Sequence, residues 1–329
     1  MFDRRRFLRA SGALLLGAQL PSVASAATAG NRARLIFGSP AGAAGTELGQ
    51  ACMAILNART GTDYVFENVD ARNSRTAALQ IKNGAPDGSQ MLLTQSTSLV
   101  MAPAIYKSLG YDPLLDLSAV TSLADCTFSL TLGPAVPANI TRLDQYVEWV
   151  NSNLDQRDVG FANYGSQGHL ATLMLARSKS VPLEPRAYQG TLMLYKDLLA
   201  GGLAAGITHA GDGNANVWAT GRLRSIGVTS AQRTAHWPNV PTLAEQGVTG
   251  MDLSSWYAWY VAASTPNSVL TALRDKARVM KNSPEFGTVI KQMNMTALDL
   301  DPAALAQRVI AETASYRSLI LNYGIRPLD

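Results

Sequence analysis

The sequence predicts an α/β protein in two parts, each a largely parallel sheet flanked by helices. Three observations carry this expectation. Short apolar segments alternate with segments of helical periodicity from Arg34 to Val261, the pattern that strand-then-helix units leave in a chain. The 329 residues are roughly twice the usual length of one domain. No linker, internal repeat or charge block divides them, so the strands themselves are expected to cross between the two parts.

The elements follow in order. Arg34 to Gly38 reads as a strand ending at Pro40-Ala41-Gly42, and a helix follows from about Thr46 to Thr60, with Leu48, Cys52, Ile55 and Leu56 at helical spacing. Tyr64 to Glu67 is a strand, Thr76 to Asn83 a helix and Met91 to Thr94 a strand. Thr141 is placed to cap a helix whose stripe is Leu143, Val147, Val150 and Leu154, with Asp144 suited to the helix dipole. Val159 to Ala162 is a strand before a helix from about Gly168 to Arg177. Thr191 to Ala200, Leu223 to Thr229 and Trp256 to Val261 continue the alternation. The C-terminal part is mainly helical, from Ser268 to Lys281 and from Pro302 to Asn322.

Composition narrows the class. Hydrophobic residues make up 47% and charged residues 16%, which supports a sizeable core and excludes a disordered chain. Two cysteines and three histidines, set far apart, offer no metal-finger spacing. Asp3-Arg4-Arg5-Arg6-Phe7-Leu8-Arg9, the apolar run Ala10 to Leu20 and Ala24-Ser25-Ala26 have the parts of an export signal. The paired arginines before Phe-Leu resemble a twin-arginine leader, with Asp3 where Ser or Thr is usual. The apolar run is too short to span a bilayer, so cleavage near residue 26 and a periplasmic location are expected. Those 26 residues hold four of the 28 basic and one of the 24 acidic side chains, so their removal takes the formal charge from +4 to +1. No basic run of five survives, and no nucleic-acid partner is expected. Cys52 and Cys126 would enter an oxidising compartment, as a disulfide or as two packed thiols.

Enzyme motifs fit poorly. Tyr164-Gly165-Ser166-Gln167-Gly168 half resembles a nucleophile elbow, but that turn needs glycine where Tyr164 stands. His169, His209 and His236 have no paired acids or cysteine nearby, so neither a triad nor a metal site is expected. No phosphate-binding glycine motif follows a strand, and no cofactor is expected. Small-residue loops do follow strands: Ser39 to Thr46, Thr94 to Ser98, Gly165 to His169 and Tyr188 to Thr191. Such loops let backbone N–H groups and helix N-termini approach a small anion. Neutral donors converging without a nucleophile or base mean binding without chemistry. Trp256, Tyr257, Trp259 and Tyr260 alternate in direction along a strand, so at most half could line a cleft, and core packing is expected of them.

Over about 290 residues the chain resembles the periplasmic solute-binding proteins of tripartite tricarboxylate transporters, the Bug family. The resemblance rests on Pro40-Ala41-Gly42, Ala85-Pro86-Asp87-Gly88, Pro103-Ala104-Ile105-Tyr106 and Tyr111-Asp112-Pro113-Leu114. It continues through Tyr188-Gln189-Gly190, Asp197 to Gly202, Gly221-Arg222-Leu223-Arg224, Val228-Thr229-Ser230, Pro238 to Glu245 and Ser254-Ser255-Trp256. It implies a two-lobed periplasmic-binding-protein-like fold (type II), each lobe a sheet flanked by helices, closing on its ligand by hinge motion. Lobe 1 would comprise residues 31–130 and 255–329, and lobe 2 residues 131–254. The implied ligand is a small organic acid, and the implied partners are the membrane components of such a transporter, with the protein itself a monomer. Carried over, first-lobe contacts fall on Ser39, Ala41, Gly42, Ala43 and Thr46, with Gln95, Ser96 and Thr97 beside them. Second-lobe contacts fall on Gly165, Ser166, His169, Tyr188 and His209, and Ser255 lies near a crossing strand.

The chain departs from the family pattern in ways that bear on ligand charge. Gly45-Thr46-Glu47 and His209 stand where aspartates are common, and Asp70 to Arg75 replaces a glycine-rich stretch. With Arg72, Arg75 and His209 adding positive potential, an anionic ligand without an amino group is expected. Arg72 and Arg75 also read as solvated residues at a helix start. Two other functions stay open: an exported hydrolase using Ser166, and a binding protein that serves a sensor instead of a transporter.

Overall fold

The computed structural model describes residues 32–69, 74–211 and 221–329; the leader and Arg72 lie outside them. Arg34 to Phe37 form β1, which pairs in parallel with β2 (Val65–Asn68) and with β3 (Gln90–Gln95). Between them run α1 (Ala44–Thr60) and α2 (Arg75–Lys82). Helix α1 buries Leu48, Cys52, Ile55 and Leu56, the periodic positions of its sequence, and stops at Gly61 in the left-handed conformation. A π-helical turn (Thr97–Met101) and the short α3 (Ala102–Ile105) follow β3.

The strand β4 (Leu117–Leu132) joins the two parts of the molecule. Its 16 residues span about 50 Å at strand rise. From Leu117 to Thr127 it pairs antiparallel with β9 (Ser254–Ala262), whose other edge carries β3. From Phe128 to Leu132 it pairs with β7 (Ala205–His209) and β8 (Arg224–Val228). The switch falls between Thr127, opposite Ser254, and Phe128, opposite His209. Parallel to β7 lies β5 (Asp158–Ala162), and beyond it β6 (Glu184–Tyr188). Helices α4 (Leu143–Ser152), α5 (Gln167–Lys179) and α6 (Thr191–Ala200) belong to this second group. The chain ends with α7 (Asn267–Lys281), α8 (Pro284–Gln292), the two-residue β10 (Thr296–Ala297) on β4, and α9 (Pro302–Asn322). The strand order is β2-β1-β3-β9-β4-β7-β5-β6, and Arg32–Asp329 gather into one unit by contact.

Expected strands and helices recur within a few residues of their sequence bounds, and α6 and α9 coincide with theirs. Some details differ. Thr141 does not cap α4; Gln145 Oε1 accepts the backbone N–H groups of Thr141 and Arg142 at 2.9 and 3.1 Å, so the cap comes from inside the helix. Trp256, Tyr257, Trp259 and Tyr260 are all at most 4% exposed, because both faces of β9 are covered, and Trp256 Nε1 donates to Glu312 at 2.9 Å. Cys52 and Cys126 are buried and not joined in a disulfide; Cys126 Sγ donates to the Ser255 carbonyl at 3.4 Å, and burial raises the Cys52 pKa. Among the described residues no helix is long and apolar enough to cross a membrane.

Candidate functional site

Three parallel strands, β1, β5 and β6, deliver the chain to helix N-termini through loops at their carboxyl ends, the usual place for a ligand crevice in such sheets. The beginnings of α1 and α2, the π-turn after β3, and the beginnings of α5 and α6 all supply residues to one cavity of about 60 Å³. That is several times the roughly 10–15 Å³ one water needs, the scale of a small molecule. Its walls include Ser39, Ala43, Gln95, Thr97, Ser166 and His209 of the expected set. Phe37, Phe128, Leu194 and Ile207 give it apolar stretches. No Asp, Glu, Lys or Arg lies among the described lining residues.

The first N–H groups of a helix have no partner within their own helix. At α1, α2 and α6 the residue before the helix supplies none from its side chain, among the described residues. The residues before these helices are Ala43, Ser74 and Gly190, and none makes a capping hydrogen bond. Ser74 instead donates to the Gly38 carbonyl at 2.8 Å. Among helices that contribute nothing to the cavity, α8 and α9 are capped by Ser283 and Asp301, whereas α7 follows Pro266 without a side-chain cap. Helix α5 is capped by Ser166, whose Oγ accepts the His169 N–H at 3.4 Å. Uncapped N-termini facing a cavity without charged side chains make a site for an anion bound by main-chain donors and dipoles. Ser74 and Asn163, both in the wall, hold φ of 64°, and left-handed non-glycine residues gather at ligand sites.

The two groups of strands meet across this cavity. Gln95 Nε2 on β3 stands 3.2 Å from His209 Nε2 on β7. Thr97 donates to Gln167 Oε1 at 2.6 Å, and Gln167 Nε2 donates to Ser96 Oγ at 3.3 Å. At the mouth the loops touch: a Cβ on Gly42 would lie 3.6 Å from Leu192, and one on Gly190 would lie 3.6 Å from Pro40.

The other expected contacts stand outside the lining. Gly42 packs beside Leu192, and neither it nor Ala41 is among the lining residues. Thr46 accepts from Asn68 Nδ2 at 3.0 Å, and the same amide reaches the Ser39 carbonyl at 2.8 Å, which braces the first loop. Ser96 and Ser255, both fully buried, share a hydroxyl hydrogen bond of 2.8 Å beneath the cavity. Gly165 packs on Ile105 and donates its N–H to His169 Nδ1 at 3.3 Å. His169 stacks on Phe161 with centroids 4.7 Å apart, and burial lowers its pKa to about 4. Its Nδ1 lone pair is committed to Gly165, and it lies outside the lining. Tyr188 donates its hydroxyl to Asp197 at 2.7 Å. Arg75 donates to the Leu109 carbonyl at 2.8 Å and covers the Tyr106 ring at 5.2 Å, so its guanidinium takes no part in the wall. Residues not expected from the sequence include Gln167 and Thr191, the first residues of α5 and α6, and Phe128 on β4. The first two lie within strand-end loops already singled out, Gly165 to His169 and Tyr188 to Thr191, although the contacts implied by the family resemblance pass over them.

Among known proteins, the chain is 28% identical over 242 residues to a UPF0065 protein from the tcbD–tcbE intergenic region of Pseudomonas sp. strain P51, covering 73% of this chain and 71% of the relative. The structure of the periplasmic binding protein BugD superposes with a TM-score of 0.82 at 22% identity, over 90% of this chain and 99% of that one. Rpa4515 of R. palustris with adipate superposes with a TM-score of 0.84 at 22% identity, over 90% and 98%. These likenesses establish the fold as the two-lobed α/β one of periplasmic binding proteins, a curled mixed sheet flanked by helices. Residues 53–325 match the profile of the family described as tripartite tricarboxylate transporter family receptor. The chain belongs to that family.

Proposed function

We propose that this protein captures a small organic carboxylate in the periplasm, after export by a twin-arginine leader, and hands it unchanged to the membrane components of a tripartite tricarboxylate transporter. The observation that carries the reading is the set of three helix N-termini whose preceding residues make no side-chain cap, at α1, α2 and α6, around a cavity with no charged side chain among its described lining residues. A carboxylate completes those donors and is favoured by the helix dipoles. The adipate in Rpa4515, a structural neighbour of the same fold, supports a carboxylate as ligand. Among the described lining residues no acidic side chain stands ready for an ammonium, which supports an anion without an amino group. In this reading residues 31–130 and 255–329 form one lobe and 131–254 the other. They part about β4 near Thr127–Phe128, and ligand draws them together.

Hydrolysis at Ser166 finds no support: its Oγ accepts a backbone N–H, and the imidazole of His169 is held by Gly165. A thermal-shift screen against mono-, di- and tricarboxylates and amino acids tests the reading. Ligand at one hundred times its Kd stabilises by about 2.7 kcal/mol. Stabilisation by a simple carboxylate above that by aspartate or glutamate is expected. A screen in which glutamate outranks every simple carboxylate overturns the anion-only reading, and turnover of an ester abolished by Ser166→Ala overturns binding without chemistry.

A further inference from the structure

The C-terminal tail of the chain runs beside α5, a helix of the other group of elements. Helix α9 ends at Asn322, and Gly324, with φ 66°, turns the chain out of it. Arg326 then meets Tyr164, in the loop between β5 and α5. The Arg326 N–H donates to the Tyr164 hydroxyl at 3.1 Å, and that hydroxyl donates to the Arg326 carbonyl at 3.3 Å. In the last turn of α5, Arg177 donates to the Asn322 carbonyl at 3.3 Å and covers the Tyr323 ring at 5.3 Å. Residues 322–326 therefore touch α5 or its entry loop near both ends of the helix. The tail is itself anchored to the end of α3. The Leu328 N–H donates to the Ile105 carbonyl at 2.7 Å, and the Leu328 carbonyl accepts the Lys107 N–H at 2.9 Å. Ile105 packs in turn on Gly165, where an added Cβ would collide with Ile105 Cδ1.

We propose that the tail from Tyr323 to Asp329 is an interlobe clasp, made when the lobes close and released when they part. This rests on the two-lobe closing reading and adds a second lock to the one the bound acid supplies. In that reading Tyr164 and Arg177 belong to one lobe, and α3, α9 and the tail to the other. On β7, Ile207 lies opposite Phe161 of β5, and His209 lies opposite Phe128 of β4 at the crossing. Asn163 is thus level with the crossing, and the chain leaves β5 toward Tyr164 about 10 Å to its side, two strand spacings away. A turn of about 20° moves a point that far from its axis by roughly 3.5 Å, enough to part a hydrogen bond. Tyr164 is a positioning residue outside the cavity lining. It stands two positions before Ser166, the cap of α5, so the clasp also steadies that helix N-terminus beside the cavity. Arg326 gives these bonds its main chain alone, so its own side chain is dispensable to them.

The test compares wild type with Tyr164→Phe, with a chain ended after Arg326, and with Arg326→Ala. The first removes the hydroxyl, the second the Leu328 anchor, and the third only a side chain. The probe is whichever of succinate, malate and adipate binds wild type most tightly, and its dissociation rate is read by stopped-flow displacement. A bound acid leaves through the open form, so losing the clasp speeds its release. One such hydrogen bond is worth about two- to tenfold, so Tyr164→Phe should release the probe about three- to thirty-fold faster. The shortened chain should change in the same direction, and Arg326→Ala should stay within about twofold of wild type. Small-angle scattering should show a larger radius of gyration for the first two variants without probe, and the wild-type radius for both at saturation. Thermal unfolding checks that all three fold. Dissociation within about twofold of wild type in both Tyr164→Phe and the shortened chain overturns the clasp and leaves the capture reading standing. Failure of all three acids to bind wild type counts against the capture reading; the clasp is then judged by scattering alone, and identical curves for wild type and the first two variants overturn it.

Discussion

Replacing Gly190 by alanine isolates the contribution of the α6 N-terminus. Gly190 holds φ 88° and ψ 163°, a region that is essentially glycine-only and costs roughly 1–3 kcal/mol for other residues. A Cβ there would meet nothing closer than Pro40 Cγ at 3.6 Å, so the penalty is torsional and not a clash. The free protein relieves it by turning the backbone ahead of Thr191, which carries the N–H groups of α6 away from the cavity. The bound state has to restore them, so affinity falls by roughly 5- to 150-fold, the same 1–3 kcal/mol expressed as a ratio. Gly201 supplies the control at the other end of the same helix, with φ 79° and ψ 7° and nothing within 4 Å of an added Cβ. Alanine there costs about 1–2 kcal/mol of stability and leaves the cavity untouched. Calorimetry with the tightest carboxylate from the screen, beside thermal unfolding, separates the two. Both variants should melt earlier, and only Gly190→Ala should lose affinity beyond about twofold. Equal affinity losses, or wild-type affinity in Gly190→Ala, would refute the role given to the α6 terminus.

Three further outcomes are expected. His169 and His209 both titrate near 4 in the folded chain, against 6.5 when unfolded. The unfolded state therefore binds more protons between those values, and stability is complete above pH 6.5. It declines on acidification by up to about 1.4 kcal/mol per pH unit for each residue, and these two add no further loss below pH 4. Denaturant melts from pH 7 to 4.5 measure this, and a flat profile contradicts it. Gly49→Ala places a methyl group into the Phe66 ring and 2.9 Å from Leu93 Cδ2; overpacking outweighs the gain in helix propensity, for a net loss of about 1–2 kcal/mol, and an unchanged melting point contradicts it. Cys52 and Cys126, buried and not joined in a disulfide, should resist a thiol reagent in the native protein and yield two thiols after unfolding; a mass two hydrogens lighter contradicts two reduced cysteines.

What the sequence reveals depends on how locally each feature is encoded. Helix α6 is read to the residue because Gly190 and Gly201 bracket a continuous apolar stripe. The strand β4 escapes detection because its register shifts between Ala119 and Thr121 and again between Ser122 and Ala124, which breaks the two-residue alternation that marks a strand. Strand β7 is hidden for a different reason: Ala205 and Gly206 carry too little apolar surface to signal burial, and neighbouring β4 and β5 bury them. Phe128, on the unread strand, goes unseen with it. Within the site, the strand-end loops are local and legible, whereas the direction of each side chain is not. Thr46, Ser96, Tyr188 and Ser255 carry the right chemistry, yet each spends its hydroxyl on a neighbour behind the wall. Only the packing of α1, α6 and β9 decides that.

A crystal structure with the tightest carboxylate from the screen tests the central claim most directly. The account predicts carboxylate oxygens within hydrogen-bonding distance of the first N–H groups of α1 and α6, in the cavity that also holds Gln95 and His209. A ligand held there by a lysine or arginine side chain, or an occupied site elsewhere with this cavity filled only by water, would contradict it.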